Sequence, residues 1–351
     1  MYAVAARLDP DTYHRLARAV FREMAASGIT SVGEFHYLHH QPDGTPYADP
    51  NAMSHALVEA AQDAGIRIAL LDTCYLASGI GKPPEGVQRR FTDGTADAWA
   101  ERVSAMPDAA AAIHSVRAVP RDQLATVATW AAERRVPLHV HLSEQVAENE
   151  QCLAAYGLTP TQVLHDEGAL GPRTSVVHAT HLTDGDIALL GGGATHACFC
   201  PTTERDLGDG IGPSRRLHEA GARLTLGSDS HAVIDLFEEM RGVELDERLA
   251  TQQRGHWSAV ELLDAATAHG QASLGFHDAG RIAVGQRADL VTLDPASVRT
   301  AGTGRDESTV VFAASAEDVT QVVVDGRVVV QQGDRADIAR ELDAAIAEVW
   351  A

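Results

Sequence analysis

Five short stretches place imidazole, carboxylate or guanidinium groups at the ends of apolar runs: VGEFHY at 32–37, IHSVR at 113–117, HVHLSE at 139–144, VVHATHL at 176–182 and LGSDSH at 226–231. Buried histidine and glutamate are costly unless they are paired, hydrogen-bonded or bound to a metal. Neutral imidazole and carboxylate suit a divalent first-row ion such as zinc, and a catalytic site of that kind keeps one position for water. A bound ion would lower the pKa of that water towards neutrality and so supply hydroxide as a nucleophile. Glu144, close to His141, is placed to shuttle protons, and Asp229 to accept the water's proton while holding the metal. Hydrolysis is the reaction class this set points to. Each residue taken alone reads as an ordinary hydrogen-bonded side chain; their repetition at equivalent positions is what calls for chemistry.

The elements that must carry them are legible as a repeat. Asp9-Pro10 reads as N-cap and first residue of a helix that Gly28 ends before the strand-like ITSVGEF. Asp49-Pro50 then opens NAMSHALVEAAQDA, which Gly65 ends before IRIALLDTCY. Helical stretches near 95–106, 121–134, 145–168, 183–190 and 213–220 precede AAIHSVRAV, PLHVHLSE, TSVVHATHL, ATHACFCP and RLTLGSDSH. Strands alternating with helices imply parallel βα units, and near-continuous apolar strands imply a sheet buried on both faces. That makes seven strand candidates, and the chain begins with the helix that should follow a first strand. The expected fold is therefore α/β, a TIM-like (β/α)8 barrel lacking its first strand, with the chemistry at the C-terminal strand ends. A doubly wound open sheet is the alternative, but no glycine-rich dinucleotide turn follows an early strand. Two more helices, over 233–252 and 257–273, lead to GRIAVGQRADLVTLD and DVTQVVVDGRVVVQQG, which alternate and turn at glycines like strands of a small β domain. The expected division is a barrel over 1–278, part of a small β-sandwich over 279–333, and a closing helix over 334–351.

A formal net charge of −21 argues against nucleic acid or an anionic membrane as partner, and an anionic small substrate would need local arginines. No apolar run approaches the ~18 residues of a membrane span. The N-terminus does not read as a secretory signal, which leaves the cytoplasm as the expected compartment. The cysteines, Cys74, Cys152, Cys198 and Cys200, give no disulfide framework, and the Cys198–Cys200 pair reads as small buried strand residues. Lys82, the only lysine, reads as a trace of codon usage.

These motifs resemble the amidohydrolase superfamily, in which the fifth barrel strand carries a metal-binding histidine with a glutamate three residues later, the sixth a histidine and the eighth an aspartate. Those positions fall on His141 and Glu144, His178, and Asp229. Within the superfamily, TSVGEFHYLHH, PYADPN, CPTTERDLGDGIGP and LGSDSHAVIDLFEEMR resemble the formimidoylglutamate deiminases of histidine degradation. The resemblance implies a metal, zinc with iron and manganese left open, on His141 and Asp229. It implies catalysis by Glu144, His178 and Asp229, and substrate binding by Tyr37, His114 and Arg117. The implied reaction converts N-formimidoyl-L-glutamate to N-formyl-L-glutamate and ammonia, Glu144 protonating the leaving nitrogen. Arg117 would meet the α-carboxylate, which a planar guanidinium can grip bidentately; the alternative is a salt bridge to a neighbouring acid.

The family's first strand also supplies a His-x-His pair, and none lies upstream of GITSVGEF; His39 and His40 are not expected to replace it. The expectation is a chain without the N-terminal part of the enzyme, holding zinc poorly through two ligands and weakly active or inactive alone. A gap in the barrel would expose strand edges and favour association, a homodimer included. Two other readings stay open: a related deaminase acting on another amidine, guanidine or aminoheterocycle, and a non-catalytic remnant serving as a binding protein.

Overall fold

The computed structural model describes residues 2–351. Seven strands form one parallel sheet in sequential order: β1 (Ser31–His36), β2 (Arg67–Cys74), β3 (Ala110–Ile113), β4 (Leu138–Leu142), β5 (Thr174–His178), β6 (His196–Phe199) and β7 (Arg223–Leu226). Each falls on one of the seven apolar runs read from the sequence, β1 and β3 reaching one residue beyond theirs, to His36 and Ala110. In a flat sheet β1 and β4 would stand roughly 14 Å apart at the usual strand spacing. The ring of Phe35 on β1 instead lies 4.2 Å from that of His141 on β4, and 6.2 Å from His139. The sheet is therefore curled into a TIM-like barrel wall, with helices outside and inward side chains from distant strands in contact. His139 and His141 face the same interior at different depths, as alternation requires.

Local signals explain the units. Asp9 caps the helix Pro10–Ala26, its carboxylate accepting the Thr12 N–H at 2.8 Å in a reciprocal capping box. The next helix, Ala52–Ala64, starts later than Asp49-Pro50 suggested: Asp49 folds a local turn by accepting the Asn51 N–H, and Asn51 takes the N-cap position. Gly65 ends it at φ 84°, a left-handed conformation that favours glycine. Below the barrel, the segment Gly270–Ser273 closes the N-terminal end of the strands: the Ser273 carbonyl pairs with His139 Nε2 at 3.1 Å. It follows a π-helical turn, Ala265–His269, within the stretch read as one continuous helix.

The chain then forms an antiparallel sheet of β8 (Leu290–Leu293), β9 (Val319–Val324) and β10 (Arg327–Gln331), in the order β10-β9-β8. Asp325 and Gly326, both at positive φ, make the two-residue hairpin between β9 and β10. The first half of GRIAVGQRADLVTLD forms no strand: Gly280 and Gly285 sit at φ 86° and 87°, and Ile282 and Val284 project into solvent. The last helix, Arg335–Trp350, lies along Pro10–Ala26, with Arg15 on Glu348 at 3.0 Å and both Arg18 and Arg22 on Glu341. No helix among the described residues is long and apolar enough to cross a membrane.

Candidate active site

At the C-terminal end of the barrel, His141 from β4, His178 from β5 and Asp229 just beyond β7 each bring one ligand atom within 4.8 Å of the others. The backbone turns sharply where these groups emerge. Ser143, His178, Ala179, Asp229 and His231 all adopt positive φ, conformations that non-glycine residues keep only where the surroundings enforce them. The two imidazoles stack at 5.8 Å, and His178 Nε2 lies 3.9 Å from Asp229 Oδ2. The donor set fits a divalent ion. His141 gives its Nδ1–H to the His114 carbonyl at 2.7 Å, which leaves the Nε2 lone pair for a metal, the arrangement usual for a ligating histidine. Burial and the neighbouring His178 hold His141 below the usual imidazole range, so it stays neutral. Burial also pulls His178 down, but the Glu204 hydrogen bond and the charges of Asp229 and Glu144 outweigh it and push its pKa up to about 9.

Beside this trio the remaining residues singled out from the sequence converge. The His114 ring lies 5.2 Å from His141 and 5.3 Å from Tyr37, and burial keeps His114 well below the usual range. Burial raises the Tyr37 phenol to about 12, so it stays protonated. Arg117 approaches Glu144 at 3.4 Å and, through Nε, Glu148 at 3.6 Å. The salt bridge weighed for this arginine is thus present, within a cleft of about 250 Å³ that Lys82, His114, Arg117, Gln145 and Glu148 help to line. Glu34, on the edge strand, is pushed up to about 7 by burial, with Asp229 adding to the shift.

Glu148 was not visible as a site residue because it sits inside the helix Val146–Tyr156; its spacing of four from Glu144 was the available signal. Burial, reinforced by Glu144, raises its pKa to about 7 against the pull of Arg117. A carboxyl with a raised folded-state pKa favours folding below its unfolded value, and that contribution is lost as pH rises through about 7. Glu148→Gln is therefore expected to stabilise the fold at pH 8 and to change little at pH 4, as read by denaturant midpoints at the two pH values.

Two other ligand-like groups occur among the described residues, His36–His39–Asp72 and His178–Cys200–Glu204. Asp72 is already saturated: Arg102 grips both its oxygens at 2.8 and 3.0 Å and the Trp99 indole donates at 2.9 Å. The HYLHH histidines belong to that structural network, His39 3.8 Å from Asp72 and His40 3.2 Å from Asp93. In the second group His178 and Glu204 bond each other. Cys198 and Cys200 carry free thiols beneath Gly227, where an added Cβ would meet their sulfurs at 3.4 and 3.0 Å.

A parallel barrel with histidines and an aspartate gathered at the C-terminal strand ends has the architecture of a metal-dependent hydrolase. The family model "Amidohydrolase family" matches residues 3–329. The chain belongs to the amidohydrolase family, and within it the sequence comparison supports membership of the formimidoylglutamate deiminase group. It is 38% identical to formimidoylglutamate deiminase of Pseudomonas aeruginosa over 99% of this chain and 80% of the relative. It is 31% identical to 5-methylthioadenosine/S-adenosylhomocysteine deaminase of Syntrophobacter fumaroxidans, over 87% of this chain and 70% of that one. The crystal structure of an amidohydrolase from Brucella melitensis superimposes with a TM-score of 0.89 at 31% identity, covering 100% of this chain and 82% of that one. These relatives support a hydrolase acting on C–N bonds.

Proposed function

We propose that the protein hydrolyses N-formimidoyl-L-glutamate to N-formyl-L-glutamate and ammonia, with zinc as the divalent ion and His141 and Asp229 as its ligands, and that with those two ligands it holds the ion weakly and turns over slowly. The observation that carries this reading is the guanidinium of Arg117 beside the His114–His141–His178 row, a local cation in a strongly acidic chain, where an acidic amidine needs one. A divalent ion bound there supplies a water acidic enough to attack near neutral pH. Asp229 accepts the proton of the attacking water. His178, with Nε2 on the side of Asp229, stabilises the tetrahedral centre as it forms at the formimidoyl carbon. Glu144 delivers a proton to the departing nitrogen, so that water adds across the C–N bond and ammonia leaves. Arg117 and Tyr37 hold the substrate, the guanidinium exchanging part of its hold on Glu144 for a substrate carboxylate.

The test is ammonia release by the purified, zinc-supplemented protein. Turnover of N-formimidoyl-L-glutamate with none of 5-methylthioadenosine supports the reading; the reverse pattern replaces it with a nucleoside deaminase. One observation favours that second reading, the stacked Tyr37–Tyr75 pair at 6.0 Å, an aromatic surface able to meet a purine. Arg117→Ala is expected to raise KM for N-formimidoyl-L-glutamate about 10- to 100-fold, the worth of a charge-assisted contact, with kcat changed much less. Steady-state kinetics on the variant check it, and an unchanged KM removes Arg117 from the substrate site.

A further inference from the structure

Glu204 has no part in the reaction just described, yet it is the group that holds His178 from behind. We propose that Glu204 is a positioning residue: its carboxylate fixes a proton on Nδ1 of His178, so that Nε2 is the nitrogen presented to the reacting centre. The inference rests on the role given to His178 above.

The geometry is specific. Glu204 Oε1 lies 3.2 Å from His178 Nδ1 and also accepts the Cys200 N–H at 2.9 Å. Two donors therefore pin one oxygen in place. Glu204 is 4% exposed and His178 1%, so neither bond is traded with water. On the opposite edge of the ring Nε2 looks towards Asp229 at 3.9 Å, with His141 stacked on its face. An imidazole with one proton places it wherever an acceptor waits. Asp229 Oδ2, at 3.9 Å, is beyond hydrogen-bond reach of Nε2, so the 3.2 Å bond to Glu204 assigns the proton to Nδ1. The backbone adds little guidance, because His178 leaves the strand at φ 70° and the side chain must be held by its partners.

The test uses the full chain with zinc added, with Glu204→Ala and Glu204→Gln. Long-range ¹⁵N–¹H NMR of the His178 ring is the readout that needs no substrate. At pH above the ring's titration, Nδ1 is expected to carry the proton in the native protein and in Glu204→Gln, whose amide oxygen the Cys200 N–H keeps in place. In Glu204→Ala, at pH above the ring's titration, the proton is expected on Nε2. With N-formimidoyl-L-glutamate, Glu204→Ala is expected to lower kcat about 10- to 100-fold with KM little changed, and Glu204→Gln to recover most of the loss. A ring that keeps its Nδ1 proton in Glu204→Ala, or loses it in Glu204→Gln, overturns the proposal. So does a native kcat in Glu204→Ala. If the native protein does not turn over N-formimidoyl-L-glutamate, the functional reading falls, while the ring measurement still decides the role of Glu204.

Discussion

His141→Ala is expected to strip the metal and nearly all turnover from a chain that still folds. Bound zinc per chain, measured by atomic emission after gel filtration, should drop to a small fraction of the native value. Ammonia release should fall about a thousandfold, because without the ion the attacking water reverts towards its bulk pKa. Catalytic zinc sites ordinarily use three protein ligands. Losing the one imidazole whose Nε2 is left free by a 2.7 Å bond to the His114 carbonyl leaves Asp229 and a His178 already engaged with Glu204. The cost to the fold is one hydrogen bond and the ring contacts with Phe35, His114 and His178, about 1–3 kcal/mol. Thermal unfolding should confirm that variant and native chains are both folded at the assay temperature. Asp229→Asn is the companion variant: it keeps the shape of the side chain and removes its charge, and the same loss of zinc is expected. A His141→Ala protein with a full complement of zinc would place the ion at another of the His- and Asp-rich clusters and end the assignment.

The residues proposed for that site follow one positional rule. A side chain at the end of an apolar run, following a helix, emerges at the rim of a parallel barrel, and β4, β5 and β7 end at Leu142, His178 and Leu226, within PLHVHLSE, TSVVHATHL and RLTLGSDSH. What could not be read were partnerships that only the closed sheet creates. Glu204 is 26 residues from His178, and nothing in CPTTER announces that its carboxylate turns back beneath β5. The acids around Arg117 are similarly remote, Glu144 lying 27 residues on. The alternating pattern of GRIAV misled because alternation signals a strand only where another strand is there to pair with it, and 281–287 has none. HYLHH was the opposite case. Two of its histidines, His39 and His40, are spent on structure, in a buried network whose other members come from β2, from the loop at Asp93 and from the helix Ala96–Val103.

That network sets the second large expectation: Arg102→Met should destabilise the protein by about 3–5 kcal/mol, the usual cost of leaving a buried charge without its partner. Arg102 binds Asp72 through both terminal nitrogens, Asp93 at 2.9 and 3.0 Å, and the Asn51 side chain at 3.0 Å. One guanidinium thus ties β2, the start of the helix Ala52–Ala64 and the loop before the helix Ala96–Val103. Methionine replaces the stem and the volume but none of the bonds, which isolates the electrostatic loss. The pH dependence distinguishes this from a packing defect. Burial alone would raise Asp72; the Arg102 charge, with His39, holds it instead at about 2. In the native protein its contribution is present above the unfolded value near 3.8 and lost only as pH falls through about 2. Without Arg102 the burial effect is unopposed by the guanidinium and Asp72 moves upward, so its contribution is lost as pH rises. The deficit of Arg102→Met should accordingly be larger at pH 8 than at pH 5, measured as the difference in urea midpoints. A deficit that is equal at both pH values would mean that cavity and contact losses, not the orphaned carboxylates, carry the cost; a deficit under about 1 kcal/mol would mean that water or the neighbouring histidines replace the guanidinium outright.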